Sequence, residues 1–397
     1  EMVGPFGAGT IFGQKAPPLG FVRSAIALKK FRMVQLLDQL VSNLRKGSST
    51  PESWGGINMF SKNKLGYDDP GRLRAYENFE GNLDDILQAG QRAGVPVLLS
   101  TVASNLKDCS PFASMHPAEL NEQERAEQEA LFSEGKTLQG KADYESALDR
   151  YRLAAALDAD LAELHFRIGT CQLALGREAE ARQALERARD LDALAVRADT
   201  RINRIVLDAA NQPGNRVIGI DSAEALAAQS GKGIPGEQWF YEHVHFTVDG
   251  NYRIAHLFAE QVADQLPDYI RKNPQSAWLG LKACNERLAL TTWDQRRLWM
   301  EALSRINVPP FTAQSSHAAN ANHIQTQIRN IVRSITSATP QMDRSLYEQA
   351  LASRPEDTVL IGNYAQFLDG TGSTAEAILQ AKKFRALLPD LAWSHYY

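Results

Sequence analysis

Gly94-Val95-Pro96-Val97-Leu98-Leu99-Ser100-Thr101-Val102 is the stretch that sets the class of fold. Ahead of it, residues 70–94 carry apolar Phe79, Leu83, Ile86 and Leu87 at helical spacing, and Gly94 stops that helix. The run from Val95 to Val102 is apolar without alternation, which is how a buried strand of a parallel sheet reads. A second unit of the same kind comes late in the chain. A helix over 195–210 leads through Asn211-Gln212-Pro213-Gly214 into Arg216-Val217-Ile218-Gly219-Ile220-Asp221. Two helix–turn–strand units predict an α/β fold. Strands 95–102 and 216–221 are expected in one sheet, parallel, as neighbours or one strand apart. Residues 21–45 also show helical periodicity, while 1–20 and the Ser/Pro/Gly stretch from Gly47 to Asn58 read as loop and linker.

Between the two units lies an internal repeat. Gly135 matches Gly169, Ala147 matches Ala181, Tyr151 matches Leu185, Ala154 matches Ala188, Asp158 matches Asp192 and Ala159 matches Ala193, each pair 34 residues apart. Small residues recur where two helices of a hairpin touch, and large ones fill the groove. This resembles the tetratricopeptide pattern, with repeats at about 128–161 and 162–195. A further copy runs over about 340–391. Tyr347, Ala350 and Pro355 resemble the second half of one repeat, and Tyr364, Ala365, Leu368, Ala377, Ala381, Phe384 and Pro389 a whole one. Isolated repeats cannot bury their faces alone, so each pair is expected to stack on neighbouring helices.

With 397 residues, 44% apolar and 23% charged, the chain has the composition of a globular protein of two or three domains. A net charge of −4 and the lack of a basic-aromatic stripe argue against nucleic acid. No run of about 18 apolar residues spans a membrane. Cys109, Cys171 and Cys284 are far apart, odd in number and outside any C-x-x-C, so they read as free thiols. No cofactor is implied. Residues 274–340 are helical and polar, with Trp278, Trp293 and Trp299 as packing residues.

The chemistry concentrates in Glu242-His243-Val244-His245, in the loop after strand 216–221 and before a helix over 251–266. In open parallel sheets, ligands bind beyond the carboxyl ends of the strands. A carboxylate three residues before a histidine can hold the imidazole through Nδ1. Nε2 is then free to act as a general base. Two other readings stay open: His243 and His245 as metal ligands with Glu242, which still lack a third histidine or an acid cluster, or a structural histidine. Asp249-Gly250-Asn251 reads as turn and helix cap. Asn105 and Lys107, just past strand 95–102, are candidates to line a substrate pocket, or are polar loop residues. Ser100, Ser104 and Ser110 sit in no Gly-Asp-Ser context and are not read as nucleophiles.

Acid-x-x-His with a glycine and a helix carrying Ile254-Ala255 after it resembles the last conserved block of the SGNH (GDSL-like) hydrolases. The opening Glu1-Met2-Val3-Gly4-Pro5-Phe6-Gly7 resembles the segment just after the Gly-x-Asn block in large bacterial members that carry tetratricopeptide repeats. Residues 76–109 are similar to the middle of that subgroup. The likeness spans roughly 1–120 and 196–272. It implies an incomplete flavodoxin-like parallel sheet in which His245 is the base and Glu242 its orienter. The nucleophilic Ser and the oxyanion Asn would lie upstream of residue 1. The chain departs from the family in having Glu where most members have Asp, and in lacking a nucleophile block. The implied organisation is an α/β domain over 1–120 and 201–272, a repeat insertion over 121–200 and a helical region over 273–397. The implied activity is hydrolysis of, or acyl transfer from, a small or saccharide-linked ester. A site outside the cytoplasm, periplasmic or membrane-anchored, is also implied by the resemblance. The other function in view is a scaffold whose repeats dock a protein or peptide and whose α/β part is inert.

Overall fold

A computed structural model describes residues 19–44, 57, 63–116, 120–214, 216–271 and 278–391. Among the described residues the chain is mostly helical, with one small parallel sheet of two strands. It divides into two compact units: Glu1–Gln265 with Val308–His317, and Leu266–Asn307 with Ala318–Tyr397. Residues 308–317, inside the stretch read as C-terminal helical region, thus belong to the first unit. The Gly/Pro-rich opening and most of the linker after Gly47 lie outside the described residues. Among the described residues, no helix is long and apolar enough to cross a membrane.

In the first unit, α1 (Leu19–Leu28) and α2 (Arg32–Leu44) replace the single helix expected over 21–45. Gln35 Nε2 donates to the Lys29 carbonyl at 2.8 Å, supplying a side-chain partner where the first helix ends. Helix α3 (Pro70–Ala93) starts with Pro70 and an Asp69 side chain that accepts from Gly71 N at 2.7 Å. It stops at Gly94, whose φ of 70° is left-handed and free of strain only for glycine. Strand β1 (Val97–Ser100) comes next. It pairs in parallel with β2 (Val217–Ile220), Val97 opposite Val217 and Ser100 opposite Ile220. Both strands are shorter than the apolar runs suggest, and β1 is half-buried, not fully buried. Val95 and Val102 are exposed by nearly half. The Val102 amide and carbonyl bond to the side chain of Asn203 at 2.8 and 3.1 Å, which ends the ladder.

Among the described residues five helices lie between the strands, and the first four are α4 (Glu122–Gly140), α5 (Tyr144–Leu157), α6 (Ala162–Ala174) and α7 (Glu178–Asp190). They form two antiparallel hairpins that match the 34-residue register. Gly135 lies so close to Tyr151 that a Cβ there would sit 2.4 Å from the ring; Gly169 meets Leu185 at 2.6 Å in the same way. Ala147, Leu148, Tyr151 and Ala154 fill the first hairpin, and Leu164 of α6 packs onto them. The second packs Phe166, Ala181, Leu185 and Ala188 against Leu106 and Ile234 of the α/β part, so the stack is closed by the sheet's own loops. Helix α8 (Thr200–Ala210) begins at Asp199, not at 195, because Asp199 caps Ile202 N at 3.0 Å. It lies on both strands and on α3, through Leu83, Val206, Ala209 and Leu99. Helices α9 (Ser222–Ala228) and α10 (Val248–Gln265) complete the unit.

The second unit holds α11 (Asp268–Arg271), α12 (Leu281–Arg287), α13 (Thr292–Ile306), α14 (His317–Ser334), α15 (Thr339–Ser353), α16 (Thr358–Gly370) and α17 (Thr374–Leu387). Tyr347, Ala350, Tyr364, Leu368 and Ala377, five of the residues that suggested a further copy of the repeat, form its core with Leu360 and Phe367. Trp293 packs edge-on against Phe367 and against Gly370, and Trp299 packs against His323. Trp278 departs from the packing reading, being half exposed.

This packing sets two expected outcomes. Gly135→Ala should lower stability by about 1–3 kcal/mol through overpacking against Tyr151. Gly140→Ala, with nothing near its Cβ position, should be neutral or gain up to about 1 kcal/mol. Thermal melts of both variants check this. Cys109 and Cys171 are buried, and burial pushes the Cys171 thiol up to about 11. Titration of the native protein with a disulfide reagent should therefore give one fast thiol, Cys284, and two that react only on unfolding.

Candidate functional site

Tyr241–His245 is the tip of a short hairpin. Phe240 and Phe246 form an antiparallel bridge with rings stacked at 5.0 Å. Tyr241 N donates to the His245 carbonyl at 2.8 Å, and Thr247 N to that of Trp239 at 2.8 Å. Trp239 and Phe240 are buried with Ala103 and Leu226, which anchors the hairpin base. Thr247, not Asp249, closes the start of α10 by accepting from Gly250 N at 3.1 Å. Gly250 admits the Trp239 carbonyl at a distance no Cβ would tolerate.

Within this tip, Glu242 is buried and engaged on both oxygens. Oε1 is hydrogen-bonded to Nδ1 of His245, the contact that the acid-x-x-His spacing predicts. Oε2 is hydrogen-bonded to Nδ1 of His243 and accepts from Val244 N at 3.2 Å. The two imidazoles differ in setting. His243 is buried edge-on between Phe112 and Phe311, with centroids 5.4 and 5.2 Å away. The His245 side chain is 53% exposed, and its Nε2 bonds to nothing among the described residues. A carboxylate held from below thus presents one imidazole to solvent with Nδ1 fixed. Burial alone would push the Glu242 carboxyl up, but the hydrogen bonds and charges of His243 and His245 outweigh it and hold it well below the usual range.

Glu242, His243 and His245 bring their ligand atoms within 4.8 Å of one another, a set chemically able to hold a metal ion. In this arrangement both Nδ1 atoms face the carboxylate.

Asn105 differs from its reading as a pocket residue. It is 2% exposed. Its Nδ2 donates to the Glu242 carbonyl at 2.9 Å, and its Oδ1 accepts from Asp108 N at 2.9 Å. Its backbone N–H donates to the His243 carbonyl at 2.9 Å. With both polar ends of its amide engaged, Asn105 is a strut under the hairpin tip. Lys107 pairs with Asp108 at 3.5 Å, and Asp108 accepts from Glu237 N at 2.7 Å.

Sequence reasoning missed the groups that hold this strut. Arg197 Nη1 donates to the carbonyls of Asn105 and Cys109 at 2.9 and 2.8 Å, and its Nη2 lies 3.4 Å from Asp192. Asp192 accepts from the backbone of Phe112, Ala113 and Leu194 at 2.9–3.1 Å. Its repeat partner Asp158 lies 2.7 Å from His116 Nδ1. The one available signal was the recurrence of Asp at equivalent positions of both repeats. Ser110 donates its N–H to Ser316 Oγ at 3.0 Å, so the 308–317 loop closes over the same segment.

No protein-family model matches the chain, and no curated protein matches it.

The depressed Glu242 carboxyl sets a pH test. A lowered folded value means the carboxylate stabilises the fold above the unfolded Glu value near 4.3 and loses that contribution as the pH falls below it. Glu242→Gln should melt below the wild type at pH 7, and the gap should narrow in melts taken from about pH 4.3 downward.

Proposed function

We propose that Glu242 and His245 are the orienter and general base of a serine-type ester hydrolase or acyl-transfer site. The acyl donor would be a small or saccharide-linked ester. One observation carries this reading: Nδ1 of His245 is held by a buried carboxylate while Nε2 stands open on an exposed ring. In that arrangement Nε2 takes the proton of an attacking hydroxyl and returns it to the leaving group. Glu242 fixes the tautomer and favours the imidazolium as it forms. The parallel strand pair, with the hairpin after its second strand, fits the SGNH type of sheet that the sequence resembles. No serine among the described residues bonds to His245; the SGNH resemblance would supply the attacking hydroxyl from a Ser block ahead of residue 1.

The two complete helical hairpins favour a second reading, in which the repeats dock a protein or peptide and the α/β part is inert. The readings separate on activity. The chain as given should not turn over p-nitrophenyl acetate above background, nor take up a fluorophosphonate label. A longer chain carrying Gly-Asp-Ser and Gly-x-Asn blocks ahead of residue 1 should do both. There, His245→Ala should cost about 10³-fold or more in kcat/KM, Glu242→Ala less, and Glu242→Asp little. Turnover in the longer chain that survives His245→Ala unchanged removes the pair from the mechanism.

A further inference from the structure

Helices α1 and α2 turn an apolar face to solvent. Leu28 of α1, Phe31 at the turn between the two helices, and Met33, Leu36, Leu37 and Leu40 of α2 are each 54–70% exposed. Single exposed apolar side chains are ordinary, but a contiguous patch of them marks a surface that meets something. A polar contact ties the helix pair to the body of the first unit. Arg23 Nη2 donates to the Gly81 carbonyl at 3.0 Å and lies 2.5 Å from Asp85 on α3.

Two properties of the segment point to its occupant. The first is the width of the face. At about 100° per residue, the seven apolar residues of α2 from Met33 to Leu44 fall within an arc of about 160°, and Arg32, Gln35, Asp38, Gln39, Ser42 and Asn43 fill the rest. A coiled-coil seam is a narrower stripe. The second is charge. From Leu19 to Lys46 the sequence carries Arg23, Lys29, Lys30, Arg32, Arg45 and Lys46 against one acid, Asp38, in a chain whose net charge is −4. These cations precede and follow the apolar run of α2 in sequence. Two copies meeting through this face, parallel or antiparallel, would bring like charges together. An anionic lipid surface complements both properties. It takes the apolar side chains below its headgroups, and the long cationic side chains reach the phosphates. With 13 residues, α2 is about 20 Å long, short of the roughly 30 Å bilayer core, so it suits the plane of the surface.

We propose that α1 and α2 form an interfacial anchor that docks this chain on an anionic lipid surface. Leu28, Phe31, Met33, Leu36, Leu37 and Leu40 enter the boundary between headgroups and acyl chains, and Lys30 and Arg32 meet the lipid phosphates. Docking needs nothing from the Glu242–His245 pair.

Flotation of the whole chain with vesicles tests this, using phosphatidylcholine alone and equal parts of phosphatidylcholine and phosphatidylglycerol. The chain should float with the anionic vesicles and bind phosphatidylcholine at least about tenfold more weakly, since each Lys or Arg near an anionic surface adds attraction. Raising the salt from about 0.1 to 1 M should weaken the anionic binding, because the screening length shortens about threefold. Lys30→Gln combined with Arg32→Gln should cost about tenfold or more in affinity. Leu37→Asn combined with Leu40→Asn should cost at least about tenfold as well. That variant should keep the melting temperature of the lipid-free protein, because both side chains are exposed in the fold. Absence of binding to the anionic vesicles would overturn the proposal, and so would equal binding to both kinds or full binding by the Lys30, Arg32 variant. A lipid-free Leu37, Leu40 variant that melts lower than the wild type would place the face inside the protein's own packing. A dimer seen by light scattering and dissolved by that variant would make a second copy the occupant. Either result removes the lipid.

Discussion

The buried pair of Asp192 and Arg197 holds the first unit together. Both side chains are about 2% exposed. Each does more than neutralise the other: Asp192 gathers three backbone amides, and Arg197 gathers two carbonyls of the segment after β1. Taking two charges out of water is recouped only when such additional hydrogen bonds satisfy them. The pair therefore dictates the path of residues 105–113. That path puts Asn105 under the hairpin tip and Phe112 against His243. The chain of contacts runs from the end of the second repeat to the Glu242 carboxylate without a gap.

A second buried ion pair reinforces the same corner. Arg72 is fully buried and bonds to Asp199 at 2.9 Å and to the carbonyls of Asp190 and Asp192 at 2.8 and 3.2 Å. Tyr76 also bonds to Asp199. The helix ahead of β1 is thereby clamped to the start of α8, on the far side of the repeat insertion. Breaking one partner of such a cluster costs about 3–5 kcal/mol, because the other is left buried and unpaired. The repeats are therefore part of the α/β frame. The end of the second repeat holds the loop after β1 through Asp192.

Local rules made the elements legible. Gly94 ends its helix because glycine tolerates a left-handed backbone, and the Gly135 and Gly169 contacts arise from the spacing of small and large residues. The acid-x-x-His contact was legible for the same reason, since three residues of tight turn leave a carboxylate few places to go. The strut role of Asn105 was not legible. It depends on backbone groups of residues 242 and 243, more than 130 positions away, and a single sequence does not say which backbone groups lack partners. The split near Lys29, the start of α8 and the exposure of Trp278 escaped for a related reason: side-chain caps and tertiary packing override periodicity at element ends. The recurrence of Asp158 and Asp192 was visible, but its meaning required the loop that both residues hold.

The sheet itself joins residues that meet late. Thr101 and Asp221 are 120 positions apart, whereas each repeat hairpin closes over a few tens of residues. Loop closure grows costlier with length, and local contacts form first. Once the repeats have folded, they bring the ends of the long loop towards each other and shorten the flexible span left to close. Contact order therefore favours closing the repeat hairpins before the strands pair.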